Sequence, residues 1–362
     1  MSDASPSGAG LRSVVRRVRD ALRPDDDQFK TVNLALQGGG AHGAFTWGVL
    51  DRFIEDGRLD FEAISGTSAG AMNAVVLADG LMRGGADGAR ERLEAFWRGV
   101  SREGLAGPAH AIVEPILSFW KLPSFPRFPG FAGFSQFASP SLFNPLDLNP
   151  LRDVLEELVD FDRVRANEGL RLFISATNVH DGKIKIFSGK AVTAEAVMAS
   201  ACLPHLFRAV EIDGEAYWDG GYSGNPALFP FFTETMCQDI LLVQINPVRR
   251  NDVPTRGPEI MERLNELTFN ASLLREFRAI DFVNRMLDQG RLDPERYRRN
   301  RLHRIDATEA LAHHTASTKM DTSWRFFIEL RDAGREAAEA WLERHYADIG
   351  VRATVDLRHE FM

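Results

Sequence analysis

The sequence has few cysteines, no long apolar run and no excess of positive charge. Only Cys202 and Cys237 are present, so we expect no disulfide framework and no thiolate metal site, and a reducing compartment fits. No segment approaches the roughly 18 uncharged apolar residues of a membrane span. The 43 Lys and Arg against 51 Asp and Glu give a net charge of −8, which argues against a nucleic-acid partner.

The composition is that of a globular protein with a sizeable core. Hydrophobic residues make up 44% of the 362 residues and charged residues 26%. No secretory signal is recognisable at the N-terminus, so we expect a cytoplasmic protein. We predict three parts: a flexible basic segment over 1–27, an α/β domain over 28–256 and a mainly helical extension over 257–362.

The N-terminal segment carries a basic amphipathic pattern over 11–23. Five apolar residues recur at helical spacing and four arginines lie beside them: Leu11, Val14, Val15, Val18 and Leu22, with Arg12, Arg16, Arg19 and Arg23. Such a helix can lie on an anionic membrane surface, which would place the protein peripherally at a membrane. The alternative is a frayed helix that docks on its own domain or has no role.

From residue 31 onward, strand and helix patterns alternate. We predict strands over 31–36 and 61–64, each followed by a turn and a helix, over 43–56 and 69–82. This order is typical of an α/β fold with a mostly parallel sheet. Further predictions are two hairpins at Asp181-Gly182 and Asp213-Gly214, a helix over 194–202 capped by Thr193, a strand over 240–245 and mostly helix after 258.

A phenylalanine-rich stretch lies between the predicted helices. Phenylalanine recurs at every third position over 125–137, among prolines and glycines that exclude an ordinary helix. Exposed together, these side chains would need a partner, such as an acyl chain or a bilayer. Alternatively, they pack against the extra helices or a second subunit. The oligomeric state does not follow from the sequence.

A glycine cluster follows the first predicted strand. Its residues are Gly38, Gly39, Gly40, Ala41, His42 and Gly43, and they contain the pattern G-x-G-x-x-G of dinucleotide-binding proteins. Asp60 and Glu62 lie about where a ribose-binding acid would be expected. A glycine loop before a helix can equally stabilise the oxyanion of an acyl transfer, because its N–H groups point outward.

The second motif favours acyl transfer. Gly66, Ser68 and Gly70 form G-x-S-x-G between a predicted strand and a predicted helix, which is the pattern of a nucleophile elbow. The strand-to-helix turn lifts the Ser68 hydroxyl to the rim of the sheet. A dinucleotide-dependent oxidoreductase would give this motif no role.

A nucleophilic serine needs a base, and the best candidate is an aspartate. Asp219 ends the second predicted hairpin and is followed by Gly220 and Gly221, which permit a tight turn and close approach. A desolvated carboxylate can accept the serine proton. His42, His180 and His205 are weaker candidates. No H-E-x-x-H pattern occurs and His313-His314 are adjacent, so we expect no metal site.

The ordered motifs G-G-G-x-x-G, G-x-S-x-G and D-G-G resemble those of the patatin-like acyl hydrolases, which include bacterial phospholipases. The resemblance implies a three-layer α/β sandwich, a Ser68–Asp219 catalytic dyad without histidine, and an oxyanion hole of backbone N–H groups over residues 38–43. The segment 199–204 resembles the A-S-x-x-x-P stretch that lines the family's cavity. His42 departs from the family, which often has Arg or Lys there.

This resemblance implies a serine esterase of the phospholipase A type that cleaves lipid carboxylic esters through an acyl-enzyme, without a cofactor. The expected partner is the lipid ester itself, with peripheral membrane contact through 11–23 or 125–137. The region around Trp324 and Trp341 resembles a helical extension of some bacterial members. The alternatives are a non-catalytic relative that binds a membrane or a partner, and the dinucleotide-dependent oxidoreductase.

Overall fold

An eight-stranded sheet forms the centre of the protein in a computed structural model. The structure describes residues 29–101, 104, 149–204, 207–250, 253–311, 318 and 321–361. The predictions for 1–27, for 125–137, for His205 and for His313-His314 lie outside these residues. The strands are β1 Lys30–Leu36, β2 Leu59–Gly66, β3 Arg171–Asn178, β4 Ile184–Ser188, β5 Val210–Ile212, β6 Glu215–Asp219, β7 Asp239–Gln244 and β8 Arg301–Asp306.

Five neighbouring strands run parallel, in the order β3-β2-β1-β7-β8. Beyond β3, β6 pairs antiparallel with β3 and β5 pairs antiparallel with β6, and β4 also pairs antiparallel with β3. The expectation of a mostly parallel α/β sheet is therefore confirmed. Because the carboxyl ends of parallel strands meet at one edge, the loops after β1 and β2 lie side by side.

Helices cover both faces of the sheet. The helices are α1 Gly43–Asp56, α2 Ala69–Gly99, α3 Pro150–Leu158, α4 Phe161–Ala166, α5 Ala194–Ser200, α6 Phe229–Glu234, α7 Gly257–Asp288, α8 Trp324–His345 and α9 Leu357–Phe361. Leu34 and Leu36 of β1 pack into the core with α1, α2 and α8. Ala35, between them, belongs to the second core with α6 and α7, as expected for residues that alternate across a strand.

Several local predictions are confirmed. Both Asp-Gly hairpins are present, and the Thr193 hydroxyl accepts the N–H of Ala196 at the start of α5. The helix predicted over 69–82 runs on to Gly99, with non-helical backbone at Gly84 and Gly85. Among the helices that the structure describes, none combines the length and apolar composition needed to cross a bilayer.

The region after 257 is mainly helical, as predicted, but it also contributes a strand to the central sheet. β8 pairs in parallel with β7 along its whole length, which the sequence analysis did not predict. α8 crosses α1 at close range: a Cβ at Gly334 would lie 2.1 Å from the carbonyl oxygen of Phe45. The C-terminal region therefore packs directly on the helix that follows the glycine loop.

Candidate active site

Ser68 occupies a strained turn between β2 and α2. Its φ of 54° and ψ of −121° lie where few residues other than glycine are found, and Asp213 is the one other non-glycine residue with positive φ in the described chain. Between residues 63 and 80, Ser68 alone is not buried. The turn therefore presents one serine at the edge of the sheet, as the G-x-S-x-G pattern predicts.

The two glycines of this motif allow the backbone to fold tightly around Ser68. A Cβ at Gly70 would lie 2.2 Å from the carbonyl oxygen of Leu36, the last residue of β1. A Cβ at Gly66 would lie 2.6 Å from the carbonyl oxygen of Gly70. Both distances are too short for any side chain, so these positions require glycine.

The glycine loop lies directly against Ser68. A Cβ at Gly38 would be only 2.8 Å from the Cβ of Ser68. Gly40 is exposed and has a φ of 59°, a conformation that suits glycine. The chain therefore brings a turn of backbone amides next to the serine.

Only part of the loop has N–H groups available to a ligand. The N–H of Gly38 donates to Asn225 Oδ1 at 2.7 Å, that of His42 to the Gly39 carbonyl, and that of Gly43 to carbonyls within the loop. Within the described chain, the N–H groups of Gly39, Gly40 and Ala41 make no hydrogen bond. These three are the available anion donors of the six predicted residues.

Asp219 is buried at the end of β6, with 1% of its surface exposed. Its Oδ1 accepts the N–H of Gly221 at 2.7 Å, and its carbonyl oxygen accepts the hydroxyl of Thr177 at 2.8 Å. A Cβ at Gly220 would lie 2.1 Å from the carbonyl oxygen of Ser175. The D-G-G turn therefore packs closely against β3 and holds the Asp219 carboxylate in one orientation.

The structure brings the turns of Ser68 and Asp219 together at one edge of the sheet. Gly66 pairs with Ile174 on β3, and Asp219 pairs with Ala176 two residues further along the same strand. A Cβ at Gly220 would lie 3.0 Å from the Thr67 side chain, so the residue after Asp219 approaches the residue before Ser68.

The end of α5 and the turn that follows it contact both motifs. The hydroxyl oxygen of Ser200 accepts the Ser68 N–H at 2.9 Å. Two residues later, the carbonyl oxygen of Cys202 accepts the Asp219 N–H at 2.8 Å. The segment 199–204, which resembles the A-S-x-x-x-P stretch, is therefore hydrogen-bonded to the backbone of both residues.

The histidine candidates lie in different surroundings. His42 is buried, and its Nε2 lies 2.7 Å from the Thr318 hydroxyl, with its ring edge-on to Phe326. His180 is exposed in the turn between β3 and β4. In the residues that the structure describes, no group of three His, Cys, Asp or Glu side chains could hold a metal ion.

Asp60 and Glu62 lie far along β2 from the glycine loop. They belong to the first residues of β2, at the end opposite Ser68, and Asp60 pairs with Thr31 at the start of β1. The Glu62 carboxylate accepts the N–H groups of Met236 and Cys237. Neither acid stands where a ribose bound at the glycine loop would be, which argues against a dinucleotide site.

A family model for patatin-like phospholipases matches residues 34–232, more than half of the chain. The chain belongs to this family. The match includes the glycine loop, the Ser68 turn and the D-G-G turn. The comparison with curated protein sequences found no match.

The solved structures that resemble this chain belong to longer proteins. VipD from Legionella pneumophila is 16% identical with a TM-score of 0.35, and the match covers 85% of this chain and 67% of VipD. The type III effector ExoU is 14% identical with a TM-score of 0.32. In its complex with SpcU from Pseudomonas aeruginosa, ExoU is 15% identical with a TM-score of 0.31. This chain covers 53% of ExoU.

Residues outside the patatin-like match also surround the site. Phe269 of α7 covers the D-G-G turn: a Cβ at Gly221 would lie 2.2 Å from its ring, and the ring meets Tyr222 edge-on at 5.3 Å. Burial, together with the nearby Asp219 charge, raises the pKa of Tyr222 to about 12. The phenol therefore stays protonated at neutral pH. The C-terminal region thus forms one wall of this part of the patatin-like domain.

Sequence reasoning missed the polar side chains that hold the glycine loop. Asn225 and Asn246 both bind Gly38, and Gln37 binds the backbone of Asn225 and Asn246. All three side chains are fully buried. The one available signal was a single amide residue, Gln37 or Asn246, just after the strands predicted over 31–36 and 240–245, which has no specificity by itself.

Proposed function

We propose that this chain is a serine acyl hydrolase that cleaves carboxylic esters of lipids. Ser68 is the nucleophile, Asp219 the general base, and the N–H groups of Gly39, Gly40 and Ala41 stabilise the oxyanion. The lipid class of the substrate comes from the family membership. One observation above all supports these roles. Within the otherwise buried stretch 63–80, only Ser68 is not buried; its backbone is strained, and it lies beside the available amides of the glycine loop.

In the proposed reaction, the Ser68 oxygen attacks the ester carbonyl while Asp219 accepts the hydroxyl proton. The electrons of the carbonyl bond move to its oxygen, and the loop amides bind that negative charge. Loss of one such donor typically costs about 2.7–4 kcal/mol of barrier. When the tetrahedral intermediate collapses, Asp219 returns the proton to the leaving alcohol, which leaves an acyl-Ser68.

Water completes the cycle. Asp219 accepts a proton from the water that attacks the acyl-Ser68 carbonyl, and the serine leaves with that proton as the free acid is released. The same carboxylate therefore acts twice, as base and then as acid in each half-reaction. Burial of Asp219 supports this role, because desolvation favours the protonated form of a carboxylate.

The test uses the purified full chain with a mixed lipid extract and a fluorophosphonate probe. We expect released fatty acid, and a single phosphonylated residue at Ser68 by peptide mass spectrometry. Ser68→Ala should abolish both signals with an unchanged melting temperature. The exposed Ser188, substituted by Ala, is the matched control and should retain both. Turnover retained by Ser68→Ala would remove Ser68 as the nucleophile.

A further inference from the structure

Two buried asparagines hold the peptide groups on either side of Gly38. Asn225 Oδ1 accepts the Gly38 N–H at 2.7 Å, and Asn246 Nδ2 donates to the Gly38 carbonyl at 2.7 Å. Both side chains are fully buried. We call Asn225, Gly38 and Asn246 the asparagine clamp. Because Gly38 presents a donor to Asn225, that carboxamide must place its oxygen toward the loop.

The clamp is itself held by a buried glutamine. Gln37 Nε2 donates to the Asn225 carbonyl and to Asn270 Oδ1, both at 3.2 Å. Gln37 Oε1 accepts the N–H groups of Ile245 and Asn246 at 2.9 Å. Gln37 therefore fixes the backbone of both asparagines, and the loss of these buried hydrogen bonds would not be compensated by water.

The asparagine clamp holds the part of the loop whose backbone is most free to change conformation. Three consecutive glycines have a very wide choice of backbone conformation. Gly38 touches Ser68, and the available amides of Gly39 and Gly40 follow it directly. A fixed Gly38 peptide therefore sets where those amides stand relative to the Ser68 oxygen. Preorganised donors stabilise a transition state without the cost of reorientation during the reaction.

We infer that Asn225 is a positioning residue for the oxyanion amides, an inference that rests on the proposed acyl hydrolase function. Asn225 follows Asp219 by six positions, and Gly224 between them accepts the Thr67 hydroxyl. The same stretch of chain therefore carries the base, contacts the residue before the nucleophile and holds the glycine loop. Asn225 touches none of the reacting atoms in this scheme. It acts through Gly38.

The test compares three variants of the full chain. Asn225→Leu keeps the size of the side chain and removes the acceptor, whereas Asn225→Asp keeps an acceptor oxygen. The control is Asn33→Leu: Asn33 is equally buried on β1 and donates to Thr235 and Cys237, away from the loop. The readouts are kcat and KM on a soluble short-chain ester, the rate of fluorophosphonate labelling, and amide hydrogen exchange of the peptide over 37–43.

We expect Asn225→Leu to lower kcat by about 100-fold with KM nearly unchanged, because small displacements of catalytic groups have effects of that size. Labelling should slow in parallel, and exchange over 37–43 should become faster. Asn225→Asp should recover most of the lost kcat. Asn33→Leu should lower the melting temperature similarly and leave kcat and loop exchange as in the wild type.

Three results would overturn the inference: unchanged kcat in a folded Asn225→Leu, unchanged loop exchange, or an equal kcat loss in Asn33→Leu. If Asn225→Leu does not fold, Asn225→Asp decides, since a folded protein with a 100-fold loss would contradict an acceptor role. If the wild type neither reacts with the probe nor hydrolyses ester, the proposed function is refuted. If Asn225→Leu nevertheless shows faster exchange over 37–43, the asparagine clamp still holds the loop.

Discussion

The hydroxyl oxygen of Ser200 accepts the backbone N–H of Ser68 at 2.9 Å. This bond has two consequences. It anchors the strained turn of the proposed nucleophile to the end of α5, and it uses the Ser68 N–H, which is then not available to an oxyanion. The turn that carries the nucleophile is thus supported from a segment 132 positions away in the chain.

Substitution of Ser200 by alanine removes this acceptor. We expect Ser200→Ala to lower kcat by about tenfold, because the Ser68 backbone shifts relative to the loop amides, and to lower stability by about 1 kcal/mol. Ester turnover and chemical denaturation measure the two effects. The matched control is Ser101→Ala, since buried Ser101 accepts the N–H of Gly104 in the same way. It should lose stability and keep kcat.

Substitution of the proposed base tests the dyad. Asp219→Asn keeps the shape and can still accept the Gly221 N–H, but it cannot take the serine proton. We expect kcat to fall by about 10²–10⁴-fold, the usual contribution of general base catalysis. His42→Ala and His180→Ala are the comparison variants. A large loss in either one, with none in Asp219→Asn, would replace the Ser–Asp dyad by a histidine mechanism.

The sequence predicted the fold and the main site candidates where local pattern was strong. Glycine clusters at strand ends and Asp-Gly turns between short strands dictate backbone geometry, and the structure has the predicted elements at those positions. Asn225 and Asn246 were not predicted as contacts of the site, and Ser200 was expected only as part of the cavity-lining segment 199–204. Their roles depend on hydrogen bonds across 132 to 208 positions, which no local pattern encodes.

β8 was missed for a related reason. Its sequence mixes arginines and a histidine with two apolar residues, and it lies between helical patterns. In the structure, Arg301 and His303 point into a polar cluster around Asp239 of β7. A tertiary ion pair, rather than strand propensity, therefore makes this segment part of the sheet.

Strain at the nucleophile predicts a gain of stability when it is removed. Ser68 has a φ of 54°, which costs a non-glycine residue roughly 1–3 kcal/mol. We expect Ser68→Gly to raise the free energy of unfolding by about 1 kcal/mol and to abolish turnover. Ser68→Ala, which keeps a Cβ in the same conformation, should show no such gain. Equal stabilities of the two variants in urea would mean that the turn is not strained.

The Asp239 cluster joins β7, β8 and the C-terminal segment. Asp239 accepts bidentate hydrogen bonds from Arg301, and its Oδ1 also lies near His303 Nε2 and accepts the Gly350 N–H. Burial alone would raise the pKa of this carboxyl. The hydrogen bonds from His303, Arg301 and Gly350 outweigh burial and hold its pKa well below the usual range.

Asp239 should therefore stabilise the protein above about pH 4 and lose that effect in acid. Because the folded pKa lies below the unfolded value of about 3.9, folding is favoured while the carboxyl is ionised in both states, and the contribution declines as the pH falls below 3.9 toward the folded pKa. Asp239→Asn leaves Arg301 without its carboxylate partner, so we expect a loss of about 3 kcal/mol at pH 7. Urea unfolding at pH 7 and pH 3 should show that the difference in unfolding free energy between variant and wild type narrows in acid.

The control is Asp181→Asn, which breaks only an exposed pair with Lys183 and should leave stability unchanged at both pH values. A gap that is as wide at pH 3 as at pH 7 would mean that ionised Asp239 is not what holds β8 to the sheet.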